Sequence, residues 1–205
     1  MEKEWLTIYD EKGHVLGKKL RDDIHRDGDW HETFHCWLIE CSEEKQYIYF
    51  QLRSYDKKDF PGRYDITAAG HISYKEPVLA GGVREIEEEL GVNVKPEELI
   101  YAGCYRYEHE SLAFIDREFC HTYFLLVSEE RKLSPGDEVE HVIKVELTSF
   151  QELLDQTVSS INAIILAEEK KISVTIEQLY PYDQDYYHFI LKHAKRIFIE
   201  YLQKV

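Results

Sequence analysis

The sequence has few cysteines, few prolines and no long apolar run. It contains four cysteines and five prolines among 205 residues. The cysteines are irregularly spaced and form no C-x-x-C pair, which excludes a recognisable zinc cluster or disulfide framework. No apolar stretch approaches the roughly 20 residues that cross a bilayer, and the first residues do not resemble a signal peptide. We therefore expect a cytoplasmic protein with reduced thiols and no membrane contact.

Basic residues are also scarce. The chain has 25 Lys and Arg against 40 Asp and Glu, which gives a formal net charge of -15. This balance argues against a protein that binds nucleic-acid phosphates directly. It leaves an indirect route to phosphate, through carboxylates that hold a divalent cation. Hydrophobic residues make up 43% of the chain, enough for a core, and the length suits one domain with or without an extension.

The apolar pattern predicts strands in the first 150 residues and helices near the end. Strands are predicted at 5–9, 15–16, 33–40, 47–52, 64–69, 99–107, 119–127 and 141–147. Helices are predicted at 76–90, 149–156, 160–170 and 184–203, the last with apolar residues at helical spacing. Strands around one central helix, with further helices appended, indicate an α+β or α/β layered fold.

Three glutamates crowd one face of the predicted central helix. Residues 70–92 read GHISYKEPVLAGGVREIEEELGV. Residues three and four apart share a helix face, so Glu85, Glu88 and Glu89 lie together. Their repulsion mildly destabilises an ordinary surface helix, whereas a hard divalent cation gains from the same charge. The guanidinium of Arg84 offers a fork that pairs with a neighbouring carboxylate and orients it.

A solvated acidic face is the alternative explanation, because most runs of glutamate are solvated. Gly81 and Gly82 count against it. Each costs about 1 kcal/mol relative to Ala inside a helix, which indicates close approach to another backbone. Gly70 and Gly91 flank the helix, as if its entry and exit were both geometrically constrained. These positions favour a cation site over a solvated face.

The same segment resembles the Nudix box. The matching positions are Gly70, Glu76, Arg84, Glu85, Ile86, Glu88, Glu89, Gly91 and Val92. The resemblance implies an αβα sandwich around a mixed sheet, with a Nudix domain at 1–150 and a helical extension at 151–205 packed on the same domain. It also implies Mg²⁺ or Mn²⁺ bound by the three glutamates, and hydrolysis of a small organic diphosphate by a metal-activated water.

The general base is open at this point. Within the box, Glu88 or Glu89 is a candidate, but some families place the base elsewhere. The acidic stretch that contains Asp137, Glu138 and Glu140 is the candidate outside the box, with a solvated loop as its alternative.

The flanking segments resemble a narrower group, the isopentenyl-diphosphate isomerases and closely related Nudix hydrolases. The similarity rests on HRDGDWH at 25–31 and FPGRYD at 60–65. It implies a metal site formed by His25, His31, His71 and Glu118, a ligand set that suits Mn²⁺ or Zn²⁺ better than Mg²⁺. Ordinary structural histidines are the alternative. The isomerases carry a catalytic cysteine where this chain has Ala69, and their box is often degraded, so we expect a hydrolase.

Substrate and assembly are predicted only coarsely. Arg53 and Arg63 are candidates for binding the diphosphate of a nucleoside diphosphate derivative or an isoprenoid diphosphate. The remaining alternatives are isopentenyl-diphosphate isomerisation and a non-catalytic nucleotide-sensing module. The final helix either covers the sheet or contributes to a homodimer.

Overall fold

The computed structural model describes residues 4–42, 45–111, 115–128 and 131–203. Its strands are β1 (Trp5–Tyr9), β2 (Val15–Leu20), β3 (Trp30–Cys41), β4 (Gln46–Arg53), β5 (Tyr64–Ile66), β6 (Ala68–His71), β7 (Leu99–Glu110), β8 (Ile115–Val127), β9 (Val139–Glu146), β10 (Ile161–Ile165) and β11 (Lys170–Val174). Its α-helices are α1 (Arg21–Asp27), α2 (Val78–Leu90), α3 (Leu147–Leu154) and α4 (Gln184–Leu202). Short 3₁₀ turns lie at Pro96–Glu98 and Ile176–Gln178.

The strands form one mixed sheet with β3 at its centre. The main path runs β11-β10-β9-β4-β3-β1-β2, and β8 and β7 extend the sheet beside β3. The β3–β8 pair is parallel over eleven residues, whereas β3 pairs antiparallel with β4 and β6. The predicted α+β fold with a mixed central sheet is confirmed.

Alternate residues of β3 face opposite layers, as the two-residue period of a strand requires. Trp37 and Ile39 pack with α3 and α4 in one cluster. Phe34, Cys36 and Leu38 pack with α2 in the other. Helices therefore cover both faces of the sheet, as in an αβα sandwich.

The predicted helix over 160–170 is wrong. This stretch forms the β10–β11 hairpin, and β10 extends the sheet by pairing with β9. Ile161, Ala163 and Ile165 are buried while Asn162 is exposed, so the true period is two. A short apolar run does not distinguish a strand from a buried helix. The segment 151–205 is thus only partly helical, and its division from residues 1–150 stays a prediction.

Helix α1 was not predicted, because it has a single buried residue, Ile24, and therefore no apolar period. The other predicted elements are confirmed, with bounds that shift by a few residues. Helix α4 buries Tyr186, Ile190, Ala194 and Phe198 at four-residue spacing, so it covers the sheet. None of the helices within the described ranges is long and apolar enough to cross a membrane.

Candidate active site

Helix α2 lies unusually close to the sheet. A Cβ at Gly82 would overlap the ring of Phe34 on β3. A Cβ at Gly70 on β6 would overlap the carboxyl group of Glu85. The close approach that the mid-helix glycines predicted is therefore present, although the contact at Gly82 is with an aromatic ring rather than with backbone. It brings the glutamates of α2 against β6.

Glu89 is the buried member of the three glutamates, with 6% of its surface exposed. Its Oε2 accepts hydrogen bonds from the Ala69 backbone N–H at 2.9 Å and from Gln51 Nε2 at 3.0 Å. Burial raises its pKa to about 8. These hydrogen bonds hold the carboxylate in one position, and a cation beside it would stabilise its charged form.

Arg84 holds the other two glutamates. Its Nη1 donates to Glu85 Oε1 at 2.8 Å and to Glu88 Oε2 at 3.1 Å, and its Nη2 lies 3.3 Å from Glu76 Oε2. Burial raises the pKa of Glu85 to about 7, and the charge of Glu88 contributes to the shift. Glu88 itself is exposed. The structure thus brings the predicted acids and Arg84 together, and the part of Arg84 in the reaction stays a prediction.

The loop after β8 closes on the end of α2. The Gly136 N–H donates to the Glu89 carbonyl at 3.0 Å, and the Ser134 N–H donates to the Leu90 carbonyl at 2.8 Å. Of the three acids predicted here, Glu138 is the one whose charge raises the pKa of Glu85. Glu140 instead accepts the Tyr55 N–H at 3.2 Å, and Asp137 is exposed.

A second cluster lies on the opposite side of β6. His25, His31 and His71 meet with ring centroids 5.1 to 5.3 Å apart. Asp116 Oδ1 lies 3.6 Å from His25 Nε2 and 3.6 Å from His31 Nε2. Glu118 Oε1 lies 3.9 Å from His31 Nε2. The four residues that the isomerase resemblance implied are therefore together, and Asp116 joins them.

Sequence reasoning missed Asp116, although a signal for it exists. Asp116 precedes Glu118 by two residues on β8, and such residues point to the same face of a strand. Both carboxyl groups are buried, and burial raises the pKa of each above its ordinary value. Two acids therefore face the three histidines.

The donor set of this cluster fits a metal ion. His31 Nδ1 lies 3.2 Å from the carbonyl of Asp29, which only accepts, so Nδ1 carries the proton. Burial lowers the pKa of His31 to about 3 and that of His25 to about 4, so both rings are neutral. His31 Nε2, His71 Nε2 and Asp116 Oδ1 are buried and have no hydrogen-bond partner. Unpaired buried polar atoms are costly, and a cation between the lone pair of His31 Nε2 and Asp116 Oδ1, which lie 3.6 Å apart, would satisfy both. Arg21 Nε donates to His71 Nδ1, so His71 Nε2 carries a proton and becomes a ligand only if its tautomer changes.

The family assignment follows from comparison with known proteins. The NUDIX domain model matches residues 29–168. The chain is 34% identical over 203 residues to an uncharacterized Nudix hydrolase from Clostridium acetobutylicum, covering 94% of this chain and 97% of the relative. This chain belongs to the Nudix family. It is a Nudix-type hydrolase, as the box predicted.

Other Nudix relatives match over shorter stretches. Nudix hydrolase 3 of Arabidopsis thaliana is 36% identical over 130 residues, which is 62% of this chain and 17% of that protein. Isopentenyl-diphosphate Delta-isomerase 1 of Photorhabdus laumondii is 25% identical over 136 residues, 65% of this chain and 75% of that protein. The predicted similarity to the isomerase group is confirmed.

Solved structures agree on the Nudix fold. A MutT/nudix family protein from Enterococcus faecalis superposes with a TM-score of 0.54 at 16% identity, covering 81% of this chain and 61% of that one. A MutT protein from Methanosarcina mazei gives a TM-score of 0.52 at 15% identity, covering 82% and 94%. At these identities the likeness concerns the fold alone.

The predicted substrate-binding arginines of this Nudix hydrolase are placed differently from one another. Arg53 is largely buried and donates to Asp65 Oδ2 at 2.9 Å and to the Asp59 carbonyl at 2.9 and 3.2 Å. Its guanidinium also lies 5.4 Å from the ring centre of Tyr180. Arg63 is half-buried, and its charge acts on Glu177. Neither contact involves the box glutamates, and the part of these arginines in binding stays a prediction.

Arg21 is a cation that sequence reasoning missed. Its Nε lies 3.4 Å from His71 Nδ1 and 3.7 Å from Glu4 Oε2. Glu4 Oε1 in turn lies 3.8 Å from His71 Nδ1, so Arg21 and Glu4 both border the histidine cluster. It is the first residue of α1, a helix without a sequence signal. This explains why Arg21 was not found.

Strand β6 joins the two clusters of the Nudix site. The Ala69 N–H binds Glu89, Gly70 packs on Glu85, and His71 belongs to the histidine cluster. Three consecutive residues thus connect both groups of ligands. At Ala69, moreover, only a methyl group stands where the related isomerases place their cysteine.

Proposed function

We propose that this Nudix hydrolase is a metal-dependent enzyme that cleaves a small organic diphosphate by attack of water on phosphorus. Glu85, Glu88 and Glu89 are its ligands for Mg²⁺ or Mn²⁺. The observation that carries the proposal is the placement of Glu89: a buried carboxylate with two hydrogen-bond donors and a second acid close by. A bound cation offsets the repulsion between these acids. The substrate is a nucleoside diphosphate derivative or an isoprenoid diphosphate.

In the proposed reaction, the role of each residue follows from its position. When bound, the divalent cation neutralises charge on the diphosphate and acidifies the attacking water. Arg84 holds the carboxylates of Glu85 and Glu88, and the Ala69 N–H holds Glu89. Among the three acids after β8 we assign Glu138 as the proton acceptor, because its charge raises the pKa of Glu85 and its exposed carboxylate, paired with Lys57, is open to water. Arg21, beside His71, provides positive charge for a phosphate oxygen.

The histidine–carboxylate cluster is proposed as a second metal site. Its ligands are His25, His31, His71, Asp116 and Glu118, of which His31, His71 and Asp116 supply the unpaired atoms. Neutral imidazole with carboxylate suits Mn²⁺ or Zn²⁺ better than Mg²⁺. We therefore propose two kinds of cation, one for each side of β6.

Isopentenyl-diphosphate isomerisation is the second candidate function, favoured by the histidine cluster and the isomerase relatives. It requires an acid at the reacting carbon, and the methyl group of Ala69 neither donates nor accepts a proton. Hydrolysis is therefore the preferred activity. The non-catalytic sensing module is disfavoured by the complete box.

The test is a panel of organic diphosphates assayed with Mg²⁺, Mn²⁺ or chelator. The panel includes nucleoside diphosphate derivatives, isopentenyl diphosphate and dimethylallyl diphosphate. Cleavage gives inorganic phosphate from a terminal diphosphate and two phosphomonoesters from a diphosphate substituted at both ends, so both kinds of product are scored as phosphate release, and isomer formation is followed in parallel. We expect cation-dependent phosphate release from at least one class. Isomer formation without phosphate release would replace the proposal by the second candidate. Phosphate release that persists in chelator would contradict metal dependence.

A further inference from the structure

The final helix α4 contacts the polar interior of the sheet through Tyr186. This side chain is fully buried. Its Oη lies 2.7 Å from His35 Nδ1 and 3.2 Å from Trp37 Nε1, both on β3. His35 and Trp37 share a strand face with His31 of the metal cluster, because the three alternate along β3. Tyr186, 151 positions after His35, is thereby connected to the strand that carries His31.

Donor and acceptor accounting sets the direction of these hydrogen bonds. An indole N–H only donates, so Tyr186 Oη accepts from Trp37. If His35 Nδ1 also carried a proton, the Tyr186 hydroxyl would have no acceptor among the described residues, which is costly in a dry interior. Tyr186 therefore donates to His35 Nδ1. The proton of His35 then resides on Nε2.

The hydrogen bonds continue in the same donor-to-acceptor direction from His35 towards Glu118. His35 Nε2 lies 3.3 Å from Thr33 Oγ1, so the ring donates to the hydroxyl. Thr33 lies beside Cys120 across the β3–β8 pair, and its hydroxyl lowers the pKa of that thiol as a donor would. His35 Nε2 also lies 3.8 Å from Glu118 Oε2 itself. Cys120 Sγ in turn donates to Glu118 Oε2 at 3.4 Å. From Tyr186 to Cys120, each group accepts one hydrogen bond and donates the next.

The chain of hydrogen bonds ends on one oxygen of a metal-cluster carboxylate. Glu118 Oε2 receives the Cys120 thiol, while Glu118 Oε1 faces His31 Nε2 at 3.9 Å. The thiol thereby holds the rotation of the carboxylate. Because His35 presents N–H rather than a lone pair to this region, His35, Glu118 and Cys120 do not form a metal site of their own, although their atoms lie close enough for one.

We propose that Tyr186, His35, Thr33 and Cys120 are positioning residues that orient Glu118 for the metal bound by the histidine cluster. Helix α4 is then part of the metal site without supplying a ligand. This inference rests on the proposed histidine–carboxylate metal site. Groups that orient a ligand from behind typically contribute 10–100-fold to metal affinity.

The first test measures Co²⁺ binding to the full chain by calorimetry and visible absorption. Tyr186→Phe removes the hydroxyl that receives Trp37 and donates to His35. We expect Co²⁺ to bind about 10-fold or more weakly, with an altered absorption band. Tyr187→Phe is the matched control, because Tyr187 is buried on the same helix. Its hydroxyl donates to the Tyr180 carbonyl at 2.6 Å and takes no part in the hydrogen bonds that lead to Glu118. It should bind Co²⁺ as the unaltered protein does.

A second pair of variants tests Cys120, at the Glu118 end of the hydrogen-bond series. Cys120→Ala removes the donor to Glu118 and should weaken Co²⁺ binding, whereas Cys120→Ser keeps a donor and should restore most of it. Thr33→Val interrupts the middle with little change in volume. It replaces Tyr186→Phe in the test if that variant does not fold.

The outcomes separate this inference from the proposed function. Full Co²⁺ binding in His31→Ala would refute the metal site itself. Loss in His31→Ala together with unchanged affinity and spectrum in Tyr186→Phe and Thr33→Val would refute only the positioning role. A thiolate-to-cobalt charge-transfer band that disappears in Cys120→Ser would show that Cys120 is a ligand, which would also overturn it.

Discussion

The two ligand clusters beside β6 differ in how the chain assembles and stabilises them. The glutamates of α2 lie within five residues of one another, and Arg84, Gln51 and the Ala69 N–H already bind them. The histidine cluster gathers side chains from α1, β3, β6 and β8, and leaves three buried polar atoms unpaired. The first cluster is a concentration of charge, and the second is a set of neutral imidazole rings beside two buried acids. This difference predicts different cations and different sensitivity to mutation.

The largest effect is expected for Glu89→Gln. The amide keeps the shape and an acceptor for the Ala69 N–H but removes the charge that the box cation needs. We expect kcat to fall by about 10²–10³-fold, the usual loss when one preorganised electrostatic group is removed. The measurement is steady-state phosphate release at saturating Mg²⁺. Glu87→Gln, exposed on the same helix, should retain activity. Equal activity in the two variants would remove Glu89 from the site.

The histidine cluster is tested by His31→Ala and metal-dependent unfolding. At about 100 times its dissociation constant, a bound cation adds about 2.7 kcal/mol to the free energy of unfolding. For a chain of this size that corresponds to a rise in Tm of about 5–10 °C. We expect His31→Ala to lose the rise with Zn²⁺ while keeping its response to Mg²⁺, whereas Mn²⁺, which suits both clusters, does not separate them. A variant that loses both responses would show that the clusters do not bind cations independently.

Gly82→Ala tests how much the carboxylate cluster depends on the close approach of α2. The added methyl group would overlap the Phe34 ring, so we expect a loss of about 1–3 kcal/mol in the free energy of unfolding. Urea denaturation measures it. Phe34→Leu in the same chain should recover part of the loss, because the two substitutions share one contact. If the losses in the free energy of unfolding of the two substitutions were strictly additive, the proposed overlap would be contradicted.

The smallest effect is expected for Ala69→Cys. Ala69 binds Glu89 through its backbone N–H and not through its side chain. Replacing the methyl group should therefore leave phosphate release within about twofold of the unaltered protein. The same samples are assayed for isomer formation from isopentenyl diphosphate. Isomer formation by the unaltered chain, with Ala69 intact, would reverse the preference for hydrolysis.

The sequence predicted the clusters to different extents for a physical reason. The glutamates follow from helical spacing alone, since residues three and four apart always share a face. The family resemblance predicted His25, His31, His71 and Glu118, because no local period connects residues on separate helices and strands. Asp116 and Arg21 were missed, the latter because α1 has no apolar period. The β10–β11 hairpin was read as helix, since a short apolar run is compatible with both structures.

The sequence by itself determined the acidic face of α2, its glycines and the layered α+β order of elements, because these depend on local periods and spacing. Only the tertiary structure decided that Glu89 is buried on the Ala69 N–H, that five histidine and acid side chains from four elements meet, and that Tyr186 binds His35. These features arise from non-local strand pairing and from the burial of polar groups, which must then be satisfied by one another. The packing of the sheet determines which of these groups meet, and no single stretch of sequence specifies it.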